Sequence, residues 1–335
     1  MEADLSTIPA PGLRPYPWQS QQWAKLLRLA QTGKLPHALL LSGESETGKL
    51  DFAQAVARYM LCRQTLGVND NANEACGECR SCLLLNAGSH PDFLLLQPEE
   101  PGKQLRIALM RSLNDFSASR SHQGGWRVVV IEPAEALNIS AANALLKTLE
   151  EPGEQTLLML VSHRPGGLLP TIRSRCQVMS FPPASAELAM PWLHAAEDSS
   201  ASDKKATARM ALALERAGQR PLRALRYGEQ QMADSIDHFE SLVEGVASGE
   251  VSPLQAAEDC SRLEFNEALT WFARLHVQRL RTQVEDNERL SAGLLAFNDR
   301  LTQATQRLLS TSNLNPQLVW EELLMDWKRA RLANS

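Results

Sequence analysis

The sequence predicts an α/β domain, a parallel sheet with flanking helices, followed by a helical remainder. Five apolar runs of strand length alternate with helical patterns before Pro182. A phosphate-loop pattern, GESETGK at 43–49, stands between the first of these runs and the first helix. Beyond Pro182-Pro183 no strand pattern recurs. Unbroken apolar strands alternating with helices are what a parallel sheet covered on both faces requires.

The first strand is HALLLS at 37–42, and the loop after it opens a helix over 49–62. DFLLLQ at 92–97 is the second strand, followed by a helical pattern over 107–119. RVVVIE at 127–132 leads into a helix over 140–149. TLLMLVS at 156–162 follows, then a weaker helical stretch at 168–173 and a last strand, CQVMSF, at 176–181. The proline pair ends this region and marks a domain boundary. Segments 185–196, 203–217, 228–247, 252–263, 266–283, 287–310 and 315–333 then fit helices. In the last, Val319, Trp320, Leu323, Leu324 and Trp327 form one apolar stripe. GQRP at 218–221 interrupts the helices and divides a small helical domain from a larger one.

The length of 335 residues suggests two or three domains, and 44% hydrophobic with 22% charged residues is globular composition. A net charge of -5 gives no general attraction to nucleic acid, so any contact with DNA is local or supplied by partners. No apolar run approaches the ~20 residues of a membrane span. The first residues lack the basic and apolar regions of a secretory signal, which places the chain in the cytoplasm, where thiols stay reduced.

The six cysteines are therefore read first as metal ligands or packed thiols. Cys76, Cys79 and Cys82 form CGECRSC, with Cys62 at the end of the first helix. Two stacked C-x-x-C spacings plus one distant thiolate can close a tetrahedral zinc site. Packed, unligated cysteines belong in apolar runs, and these stand among Gly, Glu, Arg and Ser. Four thiolates fill the coordination sphere, so this zinc is structural. Cys176 and Cys260 are left over, Cys260 as a packed thiol.

Gly43, Gly48 and Lys49 satisfy the phosphate-loop pattern, but Leu50 stands where a hydroxyl should hold magnesium. The strand RVVVIE ends in Glu132 where Asp is usual, and Pro133 replaces the acid that polarises water. Hydrolysis by this chain is therefore not expected. ATP or ADP could still be held by Lys49 and the loop amides, or the glycines could persist only because they make the turn. Arg173 and Arg175, just before the last strand, read by themselves as a solvated pair.

HALLLSGESETGK, CGECRSC, NALLKTLEEP at 143–152 and SRC at 174–176 together resemble the AAA+ clamp-loader subunits of bacterial DNA polymerase III. NALLKTLEEP followed by SRC is the specific part, and the resemblance covers essentially the whole chain. It implies an AAA+ P-loop-type domain over 1–182 with a zinc module at 62–82, a small helical lid over 183–224, and an all-α collar over 225–335 that oligomerises. It implies zinc on Cys62, Cys76, Cys79 and Cys82, with a longer loop after Cys62 than usual. It also makes Arg175 an arginine finger reaching into a neighbouring subunit's ATP site. The implied partners are gamma/tau and delta subunits in a hetero-pentamer, with the sliding clamp and primed DNA reached through the complex, and no membrane. In the lid, Pro221 stands near where active relatives carry a nucleotide-sensing arginine, with Arg220 and Arg223 close by. Two rival readings are a self-sufficient ATPase of gamma/tau type, opposed by Leu50 and Pro133, and a zinc-ribbon nucleic-acid-binding protein. The second is opposed by the acidic total and by a module whose one arginine, Arg80, lies beside Glu78.

Overall fold

The computed structural model describes residues 13–65, 73–100, 102–105, 112–113, 115–116, 121–123, 125–197, 203–286, 291–310 and 315–332. Five parallel strands form one sheet: β1 (Ala38–Ser42), β2 (Phe93–Leu96), β3 (Arg127–Ile131), β4 (Thr156–Ser162) and β5 (Gln177–Ser180), in the order β2-β3-β4-β1-β5. Helices α1 (Ser20–Gln31), α2 (Lys49–Leu61), α3 (Arg80–Asn86), α4 (Ile139–Glu150) and α5 (Pro170–Arg173) accompany them. Leu39 pairs with Met159, Leu40 with Val178 and Val129 with Leu158.

The alternation of side chains along a strand explains why the apolar runs are unbroken. Leu39, Leu41, Val128, Val130, Met159 and Val161 pack on one side of the sheet with Phe52, Val56 and Met60 of α2. Leu40, Val129, Leu158 and Leu160 pack on the other with Ala141, Leu145 and Leu149 of α4. Every residue of β4 is buried, as the sheet's central strand must be. These two layers fix the carboxyl ends of β1, β3 and β4, where the candidate site lies.

The expected strands all form, each within a residue of its expected ends. Helix α1 was not expected, although Trp23, Leu26, Leu27 and Ala30 carry helical spacing and pack on the α2 side of the sheet. Helix α3 forms inside the cysteine segment, with Cys79 as its N-cap. The helix expected over 107–119 lies mostly outside the described residues.

The later helices are α6 (Ala186–Ala196), α7 (Lys204–Arg216), α8 (Pro221–Gly228), α9 (Gln230–Ser248), α10 (Pro253–Cys260), α11 (Phe265–Glu285), α12 (Ala292–Ser310) and α13 (Pro316–Leu332). No strand occurs past Ser180 among the described residues. Helix α8 is an addition to the sequence reading: Gly218 ends one helix with φ +70°, and Pro221 opens the next.

The chain divides into two compact units, Met1–Leu214 with Gln219–Arg223, and Glu215–Gly218 with Ala224–Ser335. The second is held by aromatic packing. Phe239, Phe272, Phe297, Trp320 and Trp327 meet in edge-on and tilted pairs, and Trp327 Nε1 donates to the Val243 carbonyl at 3.1 Å. Among the described residues, no helix is long and apolar enough to cross a membrane.

Candidate functional site

The phosphate loop leaves β1 at Gly43 and becomes the N-terminus of α2 at Gly48. Gly48 takes φ +80°, and a side chain there would begin 2.5 Å from the Tyr16 ring, so both the turn and the close approach demand glycine. A side chain at Gly43 would run into the Phe181 carbonyl. The segment before α1 braces this loop. Trp18 Nε1 and Gln19 Nε2 donate to the Thr47 carbonyl at 3.1 and 3.0 Å, and Gln19 Nε2 also donates to the Gly48 carbonyl at 2.8 Å. Tyr16 and Trp18 stack at 4.7 Å, and both set their edges against Trp192 of α6.

The loop's lysine is turned inward. Lys49 is only 2% exposed. Its Nζ donates to the Glu44 carbonyl and to Thr47 Oγ1 at 3.4 Å. Burial lowers its pKa to about 8, against the pull of Glu135, Glu132 and Glu44 in the other direction. Buried Arg220 pairs with Glu44 at 3.2 Å. Buried Arg223 pairs with Glu46 and lies 3.4 Å from Ser45 Oγ, to which it donates. Leu50, the residue in the hydroxyl position, packs against the core on the α2 side.

The acids whose charges act on Lys49 also bind neighbouring groups. Glu132 accepts from Gln97 Nε2 at 2.8 Å and meets His163 Nε2 at 3.1 Å. The His163 contact is the main reason its carboxyl is held below the usual range. Glu135 Oε1 accepts the backbone N–H groups of His163 and Arg164, at 2.9 and 3.1 Å, and so ties the turn after β4. Pro133 offers no side-chain donor or acceptor. Glu135 Oε2 is buried and has no hydrogen-bond partner among the described residues.

The four cysteines of the sequence pattern converge. Their Sγ atoms all lie within 4.8 Å of one another, with neighbouring pairs at 3.5, 3.6, 3.9 and 3.9 Å. Four sulfurs about 2.3 Å from one ion would sit about 3.8 Å apart at the corners of a tetrahedron, so the set fits a four-coordinate metal. Backbone N–H groups of Cys76 and Cys79 donate to Cys62 Sγ and Cys76 Sγ at 3.4 and 3.3 Å. Burial raises the Cys82 thiol. At Cys79 burial acts in the same upward sense, but hydrogen bonds from the backbone of Cys82 and Arg63 outweigh it and bring the thiol to about 6. Cys176 and Cys260 are buried and apart from this cluster.

Arg175 lies on the turn between α5 and β5. Its Nη2 donates to Glu150 Oε1 at 2.6 Å and its Nη1 to the Thr171 carbonyl at 3.1 Å. It is therefore held, where the residue pattern alone suggested a solvated pair. Sequence reasoning did not find Glu150, His163 or the Tyr16–Trp18–Trp192 cluster. LEEP and PYPW were visible as strings, but nothing local told which distant groups they meet.

Residues 18–185 match the family model described as "DNA polymerase III, delta subunit". The chain is 36% identical over 330 residues to DNA polymerase III subunit delta' of Pseudomonas aeruginosa, covering 93% of this chain and 97% of that one. It is 31% identical over 338 residues to the Yersinia pestis subunit of the same name, covering 94% and 96%. To that of Escherichia coli K12 it is 38% identical over 181 residues, covering 54% and 53%.

Proposed function

We propose, for a chain that belongs to the delta' family of DNA polymerase III subunits, that it is a non-hydrolysing member of the clamp loader. It supplies Arg175 in trans to the ATP site of an adjoining subunit. In this reading the chain works in the cytoplasm beside gamma/tau and delta subunits in a hetero-pentamer that places the sliding clamp on primed DNA. Residues 1–182 form the AAA+ domain, 183–224 the lid and 225–335 the oligomerising collar.

One observation carries the reading: the loop that would run the reaction has its lysine buried and its acids paired with arginines, while the Arg175 guanidinium is held and exposed. Lys49 is buried and donates to the Glu44 backbone carbonyl, and Arg220 and Arg223 pair with the carboxylates of Glu44 and Glu46. Leu50 faces the core. Gly43, Gly48 and Lys49 are then the remnant of a nucleotide site kept for its shape. Arg175 remains 37% exposed at its side chain, within reach of a docked neighbour. A finger given in trans can be worth roughly 10³–10⁵ in rate at the site it completes.

Zinc is the metal that four thiolates at tetrahedral spacing favour, and Cys62, Cys76, Cys79 and Cys82 would hold it as a structural ion. Metal analysis of the purified chain should return about one ion per molecule by the four-thiolate rule. For the hydrolytic reading, the purified chain incubated with ATP and magnesium should release phosphate no faster than a Lys49→Ala variant. Brisk turnover lost in that variant would instead identify a gamma/tau-type ATPase.

A further inference from the structure

We infer that Glu150, the last residue of α4, is a positioning residue for Arg175. This role rests on the trans-acting reading of Arg175 proposed above. The two residues come from the two most specific motifs of the sequence, LEEP and SRC, which lie 25 positions apart and meet in space. Both are mounted on firm backbone. Leu145 and Leu149 of α4, and Ile172 and Cys176 on either side of the turn, share one buried cluster under the sheet. The ion pair therefore joins two fixed points.

A guanidinium has five N–H donors in a planar fork. Glu150 takes one on Nη2 and the Thr171 carbonyl takes one on Nη1, so the plane is held from two directions. Nε–H and one N–H on each terminal nitrogen remain for an anion arriving from outside. An arginine that must meet a developing charge at a subunit boundary gains by being oriented before the neighbour docks, because less side-chain freedom is lost at that moment. Arg173 supplies the contrast. It is exposed, and although its backbone is hydrogen-bonded to Leu169 and Cys176, its side chain makes no hydrogen bond or ion pair among the described residues. The carboxylate selects one arginine of the pair.

The test is a double-mutant cycle in the reconstituted clamp-loader complex, reading ATP turnover with clamp and primed DNA. Glu150→Ala should lower kcat about two- to fivefold, the range for a partly exposed ion pair. KM for ATP should not move, because the finger acts in the transition state. Glu150→Gln, which keeps an acceptor without the charge, should fall between Glu150→Ala and the unaltered complex, and it carries the measurement if the alanine variant does not fold. Adding Glu150→Ala to Arg175→Ala should change nothing more. A full rate for both Glu150 variants beside a slowed Arg175→Ala complex would overturn the positioning role alone. Equal slowing by Glu150→Ala in both backgrounds would overturn it too. An Arg175→Ala complex at full rate would remove the trans reading and this role with it.

Discussion

Lys49 carries the clearest conflict between charge and burial in the loop. Burial favours the neutral amine, so the folded chain releases this proton at about 8, whereas an unfolded chain keeps it to its ordinary 10.5. Between those values the unfolded state binds more protons, and stability attributable to Lys49 rises with pH. Below the folded value the penalty is present in full. Lys49→Met should therefore be more stable than the unaltered chain at pH 7, and the gap should close as pH rises toward 10. Denaturant unfolding of both proteins at a series of pH values checks this, and a gap independent of pH contradicts it. Gly43, Gly48, Lys49 and the four cysteines were legible because their spacing is local and the chemistry fixes it. Glu44, Glu46, Arg220 and Arg223 were present in the string, but their pairing depends on a fold that brings residues 177 positions apart into contact.

At the scale of elements, the cysteine module joins the end of α2 to the start of α3, with Cys62 as the C-cap of one and Cys79 as the N-cap of the other. A helix of seven residues is too short to persist without tertiary support. Metal removal should therefore release α3 while the sheet stays folded, because β1, β3 and β4 are buried between two independent side-chain layers. Hydrogen exchange after chelation should show amides 80–86 losing protection and those of β1, β3 and β4 keeping it. Loss of protection in both would mean that the ion supports the whole domain. The strands were readable because a buried parallel sheet needs apolar residues on both faces. Helix α3 was not, because seven residues are too few to display an amphipathic pattern. Helix α8 was hidden by GQRP, which breaks one helix and opens another within four residues. In the second unit, the apolar stripe of the last helix was plain, and Trp327, its last member, packs among Phe272, Phe297 and His276. Trp327→Ala should cost about 3–5 kcal/mol of that unit's stability, read by thermal or denaturant unfolding. A loss below ~1 kcal/mol would show that the site collapses around the cavity.

For the molecule as a whole, the proposed function separates two tasks that an ATPase usually combines. The nucleotide-type loop is present, and its acids Glu44 and Glu46 pair with Arg220 and Arg223. The rim that follows α5 presents a guanidinium fixed by Glu150 and Thr171. In the proposed reading, Arg175 acts when a neighbour's triphosphate site meets it. Single-turnover ATP hydrolysis by the assembled complex, comparing the unaltered chain with Arg175→Ala, tests this most directly. The account predicts that hydrolysis at the adjoining site slows by roughly 10³ or more while the complex still assembles and binds ATP. Hydrolysis at an unchanged rate in a fully assembled Arg175→Ala complex would contradict it.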